Sequence, residues 1–147
     1  MLRLADTEGA TGLERADAGA VLREVAGLVE GALRQRQVEL SADPIPSDLW
    51  VAADPAELRA LFSQVVQGLA SGMAEGAHLR LAAERRDDAV VVSLITDQPV
   101  AAGARRDDYR AAGLGLWVAR RLLATHGGSL VAPDDGEGAW RLTLPAA

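Results

Sequence analysis

The stretch of this sequence best suited to chemistry is GLGLWVARRLLATHGGSL, residues 113–130, in which a glycine turn runs directly into an amphipathic helix. A glycine loop at the start of a helix presents backbone N–H groups and the positive end of the helix dipole, so it favours an anion such as phosphate. The same glycines, Gly113 and Gly115, can also act only as conformational residues that let the loop turn closely into the helix. The sequence leaves both interpretations open.

Asp97 directly follows the apolar run AVVVSLIT, residues 89–96, which is typical of a buried strand. An acid at the end of such a strand can accept a hydrogen bond from a ligand, or it can cap the turn that follows. The histidines His78 and His126 complete no Ser/His/acid set and no metal-ligating cluster that is evident in the sequence. We therefore predict no catalytic residue and no metal ligand.

Length, charge and cysteine content exclude several classes of protein. A chain of 147 residues is long enough for one domain with a real core, and it contains no cysteine for a disulfide framework or a cysteine-ligated zinc site. The net charge of −6 argues against a nucleic-acid-binding surface, because phosphate contacts need clustered lysine and arginine. Without a signal-peptide pattern or an apolar run of ~20 residues, we expect no membrane insertion and a cytoplasmic location.

Two helices are predicted in the first half of the chain. Apolar residues at helical spacing indicate the first from Ala16 to about Gln37, followed by short extended pieces over 38–42 and 49–52. The sequence Asp54-Pro55-Ala56-Glu57 is a strong helix start, since Asp54 can cap the backbone and Pro55 suits the first helical position. This second helix is expected to fray near Gly72 and Gly76.

The second half is predicted to be mainly strands around a third helix. Residues 78–84 and 89–96 form a hairpin that turns at Arg85-Arg86-Asp87-Asp88, and the apolar second strand indicates a central position covered on both faces. A helix over about 114–126 stops at Gly127, and strands 129–132 and 139–144 pair across Asp134-Asp135-Gly136. The expected fold class is α+β: a two-layer sandwich with a mixed, mostly antiparallel sheet and three helices on one face.

Four segments in this order resemble the ATP-binding catalytic domain of bacterial sensor histidine kinases, of the GHKL superfamily. They are MLRLADTEG, DPAELRALFSQVV, GLGLWVARRLLATHGGSL and GAWRLTLP. The resemblance implies a Bergerat-type sandwich over residues 15–147. It also implies that residues 1–14 are a tail similar to the end of a dimerisation helix.

The resemblance also implies a site for ATP with Mg²⁺ and names its residues. The nucleotide-binding positions that match the family are Asp97, Gly113, Leu114, Gly115 and Leu116. Other positions depart from the family: its two asparagines fall on Gly68 and Gly72, its basic residue on Glu75, and its glycines on Pro99, Ala101 and Ala111. Glycine offers no side-chain oxygen to Mg²⁺, and proline fixes the backbone where a glycine would bend it.

These departures lead to two hypotheses about function. The first is a degenerate ATPase domain with weak or no ATP binding, which regulates two-component signalling by docking on a dimerisation helix bundle, a receiver domain or a second copy of itself. The alternative is the catalytic domain of a sensor kinase, which supplies phosphate to a histidine on another segment or chain. The alternative requires a replacement for the lost asparagine, for which the sequence offers Gln64, Gln67 and Ser71.

Overall fold

The computed structural model describes residues 14–97, 116, 118–133 and 138–147. The elements in this part of the chain, in order, are β1 (Ala16–Asp17), α1 (Ala18–Gln35), β2 (Glu39–Ala42), β3 (Trp50–Val51), α2 (Pro55–Ser71), β4 (His78–Arg86), β5 (Ala89–Thr96), α3 (helical at 116 and over 118–125), β6 (Ser129–Val131) and β7 (Gly138–Pro145).

The start of α1 is fixed by a single carboxylate. Asp17 accepts a hydrogen bond from the N–H of Gly19 at 3.0 Å, which satisfies one free donor of the first turn. It also accepts from Leu49 at 3.0 Å and from Asp48 at 3.1 Å, so the same side chain ties the helix to the loop before β3. The helix is two residues shorter at each end than its apolar spacing predicts.

The predicted start of α2 is confirmed. Asp54 accepts from the N–H of Glu57 at 3.2 Å, and Pro55 occupies the first helical position, where no backbone donor is needed. The helix ends at Ser71, and Gly72 caps it by donating to the carbonyl oxygens of Leu69 and Ala70. The fraying expected near Gly72 is therefore a defined helix end.

Five strands form the main sheet in the spatial order β2-β4-β5-β7-β6. Only β2 and β4 run parallel, with Glu39 beside His78, and the other pairs are antiparallel. The two short strands β1 and β3 pair separately, and Val51 of β3 forms a bridge to Ala146 just after β7. The expected mixed, mostly antiparallel sheet is confirmed, as are both predicted hairpin pairings.

One face of the sheet carries the core. In the central strand β5, alternate residues Val90, Val92 and Leu94 pack into the same buried cluster as Leu22, Phe62 and Leu123 from the three helices. Helices on one face of the sheet, the arrangement expected of an α+β sandwich, are thus confirmed. The second face of β5 is less covered than its sequence predicts, because Ser93 and Ile95 are only half-buried.

The turn after α3 depends on two glycines. Gly127 has φ +75, as expected of a glycine that ends a helix. Gly128 lies so close to β7 that an added Cβ would overlap the Thr143 carbonyl oxygen and lie 2.9 Å from the Leu144 side chain. A larger residue at Gly128 would therefore push the turn between α3 and β6 away from β7.

Candidate functional site

The first of the predicted nucleotide-site positions, Gly68, lies in the last turns of α2. Gly68 is buried there, and a Cβ built on it would lie 3.2 Å from Cδ2 and 3.4 Å from the backbone N of Leu116. Leu116, which is 6% exposed, belongs to the GLGL motif. A side chain at Gly68 would therefore require Leu116 to shift by a few tenths of an ångström.

The next two departing positions lie beyond the helix. Gly72 is the C-cap of α2 and is half-buried, and Glu75 is exposed three residues later. Neither residue lies on the regular helical surface, because α2 has ended at Ser71. At this end of α2 a ligand would therefore meet Gly72, which has no side chain, and the exposed carboxylate of Glu75.

The three residues that could replace the missing asparagine, Gln64, Gln67 and Ser71, all lie in α2 and none of them is buried. Gln64 and Gln67 are exposed, and the Gln67 amide nitrogen donates to Ser63 Oγ at 2.8 Å. The Ser71 hydroxyl donates to the Gln67 carbonyl oxygen at 2.9 Å. Two of the three side chains thus already make contacts within their own helix.

Asp97 follows β5 directly, as predicted, and its carboxylate has a backbone partner. Oδ1 accepts a hydrogen bond from the N–H of His78 at 2.9 Å, and the N–H of Asp97 donates to the His78 carbonyl oxygen at 3.3 Å. These bonds join the end of β5 to the start of β4. Asp97 therefore has a structural role whether or not it also contacts a ligand, and its nucleotide-binding role stays a prediction.

Six of the residues singled out from the sequence lie outside the described ranges. They are Pro99, Ala101, Ala111, Gly113, Leu114 and Gly115. Their roles stay predictions. Of the residues named for the site, the structure brings Gly68 and Leu116 together.

A polar trio that sequence reasoning did not find lies on the half-exposed face of the sheet. Ser41 Oγ and His78 Nε2 are 2.8 Å apart, and His78 Nδ1 is 3.7 Å from a carboxylate oxygen of Glu39. The parallel pairing of β2 and β4 creates this trio, which no local spacing reveals. Because 3.7 Å exceeds hydrogen-bond distance, the acid does not orient the imidazole as it does in a catalytic triad.

A groove between α2 and α3 was also not predicted from the sequence. It has a volume of about 310 Å³ and apolar walls that include Leu58, Leu61, Leu122 and Leu144. At one end His126 Nε2 lies 3.4 Å from Glu57 Oε1, and His126 Nδ1 lies 2.9 Å from the Leu122 carbonyl oxygen. The available signal was Leu122, an apolar residue next to the buried Leu123 on an amphipathic helix.

The described residues contain neither a membrane-spanning helix nor a metal-binding cluster. In residues 14–97, 116, 118–133 and 138–147, no helix has the length and apolarity required to cross a bilayer. Within the same ranges, no group of three or more His, Asp or Glu side chains could hold a metal ion.

The known proteins that this chain resembles are sensor histidine kinases. No protein-family model matches the sequence. The curated sensor protein VanS of Enterococcus faecium is 28% identical over 116 residues, which cover 69% of this chain and 30% of VanS. The chain thus spans about a third of that relative's length.

Solved structures agree with this relationship over most of the chain. The nucleotide-free catalytic domain of the histidine kinase ThkA superposes with a TM-score of 0.71 at 21% identity, covering 90% of this chain and 95% of that domain. Full-length ShkA, solved with AMPPNP, gives a TM-score of 0.69 at 28% identity and covers 91% of this chain and 31% of ShkA. ThkA has also been solved in complex with the response regulator TrrA. The chain has the fold of histidine kinase catalytic domains, and the predicted resemblance is confirmed.

Proposed function

We propose that this chain is a histidine-kinase-type ATPase-fold domain that regulates two-component signalling through protein contacts and does not turn over Mg-ATP. Residues 15–147 form the domain in this proposal, with residues 1–14 as the tail that joins it to a dimerisation helix. The single observation that carries the proposal is the contact between Leu116 and Gly68 at the position where the family holds its metal ligand.

The described residues do not fit a magnesium–triphosphate group held in the family's manner. Mg²⁺ requires oxygen ligands in near-octahedral geometry, and Gly68 and Gly72 supply no side-chain oxygen. Glu75 places a carboxylate where the family has a basic residue, so it would repel phosphates rather than attract them. Gly68, Gly72 and Glu75, which stand at three successive positions of the family's motif, are thus each unsuited to a magnesium–triphosphate group.

Protein partners are supported by the relatives. The histidine kinase ThkA, part of which has this fold, has been solved in complex with the response regulator TrrA, and this supports a response regulator as a class of partner. We propose a dimerisation helix bundle or a receiver domain as the partner class, with a second copy of the chain as a further possibility. Binding to such a partner should not depend on nucleotide.

The second candidate function is that of an ATP-binding catalytic domain, and Asp97 favours it. This acid directly follows the central strand β5, the place that the family uses to recognise adenine. If ATP binds, Gln64, Gln67 or Ser71 must replace the missing asparagine. In that case γ-phosphate would be transferred to a histidine on another chain or segment.

A phosphotransfer assay separates the two functions. The full chain is incubated with γ-labelled Mg-ATP and a dimerisation helix bundle that carries its phosphoacceptor histidine, with the catalytic domain of ThkA as the positive control. We expect no label on the bundle, and complex formation that is equal with and without nucleotide. Labelling of the bundle histidine that depends on this chain would overturn the proposal.

A further inference from the structure

Thr96, the last residue of β5, lies on the face of the sheet that the helices cover. Successive side chains of a strand alternate between its two faces. From Val90 onwards every second residue of β5 is buried on the helix-covered face, and this series ends at Thr96, which is 4% exposed. Ser93 and Ile95 lie on the opposite face and are half-buried. Thr96 is therefore the last side chain of β5 that faces the helices.

The two nucleotide-motif positions that contact each other lie on this same side of the sheet. Gly68 is buried in α2, and Leu116 belongs to the core cluster between the helices and the sheet. A ligand held between these two segments would therefore lie on the face that Thr96 reaches. The acid that follows β5, Asp97, is exposed.

Asp97 is turned towards β4 and the uncovered face of the sheet. Its Oδ1 accepts a hydrogen bond from the N–H of His78 at 2.9 Å, and its own N–H donates to the His78 carbonyl oxygen at 3.3 Å. With Arg80 and Ile95 it also lines a cavity of about 290 Å³. Arg80 and Ile95 are cross-strand partners on the face opposite the core. The carboxylate thus joins two strands and borders the wrong face for a ligand beside Gly68.

The Thr96 side chain offers different chemistry from that of an acid. Its hydroxyl donates to the Gly138 carbonyl oxygen at 3.2 Å, which ties the end of β5 to β7. Because the one hydrogen of the hydroxyl is engaged, the oxygen could act towards a ligand only as a neutral acceptor. Hydrogen bonds to a carboxylate are roughly twice as strong as those between neutral groups.

We propose that Thr96, and not Asp97, stands at the position from which the family's acid contacts adenine, and that Asp97 instead joins β4 to β5. A neutral hydroxyl then replaces the carboxylate that would accept the adenine amino group. The chain lacks the family's contact to the base as well as its metal ligand. This inference rests on the proposed function, because it concerns the same site, and it removes the feature that favours the second candidate function.

Thiol labelling tests which of the two residues faces the helices, because the chain contains no cysteine of its own. Thr96→Cys and Asp97→Cys are compared with Ala32→Cys, at an exposed alanine of α1. In the folded full chain Asp97→Cys should react with a maleimide at about the rate of Ala32→Cys. Thr96→Cys should react about a hundredfold more slowly, since a buried thiol reacts only after local opening. Similar rates for the two variants, or faster labelling of Thr96→Cys, would overturn the assignment.

Hydrogen exchange at the His78 backbone amide tests the role of Asp97. Asp97→Ala removes the acceptor of this N–H and should speed its exchange about tenfold or more. Asp97→Asn is the matched control, because its amide oxygen can still accept the bond, and its exchange should stay within about threefold of wild type. Unchanged exchange in Asp97→Ala would refute the role. Neither measurement uses nucleotide, so a chain that bound Mg-ATP would contradict the proposed function without altering either result.

Discussion

Leu116 lies against Gly68, so closely that a Cβ on the glycine would meet the leucine Cδ2 at 3.2 Å. The two residues come from the two segments that hold nucleotide in histidine kinases, the end of the second helix and the GLGL motif. In this chain Gly68 and Leu116 contact each other directly. Leu116 therefore has a packing role that requires no ligand.

This contact predicts that the family's asparagine cannot simply be restored. Gly68→Asn should lower the free energy of unfolding by about 1–3 kcal/mol, because Leu116 must move, even though asparagine is a better helix former than glycine. In the Leu116→Ala background the same change should cost at least about 1 kcal/mol less, since the space is then free. Urea denaturation of the four proteins measures both values.

An equal cost of Gly68→Asn in both backgrounds would show that Leu116 does not limit this position. The baseline is Leu116→Ala alone, which should destabilise by about 2–5 kcal/mol because it empties a buried site.

Asp17 predicts a stability difference that depends on pH. Burial raises the pKa of this carboxyl, but the N–H groups of Leu49, Asp48 and Gly19 stabilise the charged form and hold the pKa below its usual value of 3.8. Such a group contributes stability above the unfolded pKa, and this is lost as the pH falls through the lower folded pKa. Asp17→Asn should therefore cost about 1–2 kcal/mol at pH 7, since an amide nitrogen cannot accept the third N–H.

The difference between wild type and Asp17→Asn should disappear below the folded pKa, where the carboxyl of the wild type is protonated. Chemical denaturation from pH 7 down to the acid range measures this. Asp54→Asn is the control: its side chain accepts a single N–H, from Glu57, which an amide oxygen accepts equally well. A loss for Asp17→Asn that stayed constant into strong acid would refute the assignment.

Gly128 and Gly27 should respond to alanine in opposite directions. Gly128→Ala places a methyl group against the Thr143 carbonyl oxygen and the Leu144 side chain and should destabilise by about 1–3 kcal/mol or more. Gly27 lies in α1 with nothing within 4 Å of an added Cβ, so Gly27→Ala should stabilise by up to about 1 kcal/mol. Differential scanning calorimetry compares the two variants. A neutral Gly128→Ala would mean that β6 and β7 can separate without cost.

Local signals were enough to predict most elements but not their contacts across the chain. The start of α2 follows from Asp54 and Pro55, and the central place of β5 follows from its apolar run, because both signals depend on neighbouring residues. The parallel pairing of β2 with β4 has no such signal, and neither has the contact between Ser41 and His78. For the groove between α2 and α3, the local signal was limited to the apolar Leu122 beside the buried Leu123. The motif positions could be assigned from the resemblance, whereas the loss of space at Gly68 required the packing of Leu116.

Titration calorimetry of the full chain with Mg-ATP and Mg-ADP tests the central claim most directly, with ShkA, a kinase solved with AMPPNP, as the binding control. We predict no saturable heat, which corresponds to a Kd weaker than about 1 mM. We also predict no increase in the unfolding midpoint at the highest nucleotide concentration. A one-to-one, magnesium-dependent isotherm would contradict the account, and nucleotide at 100 times its Kd would then stabilise the fold by about 2.7 kcal/mol.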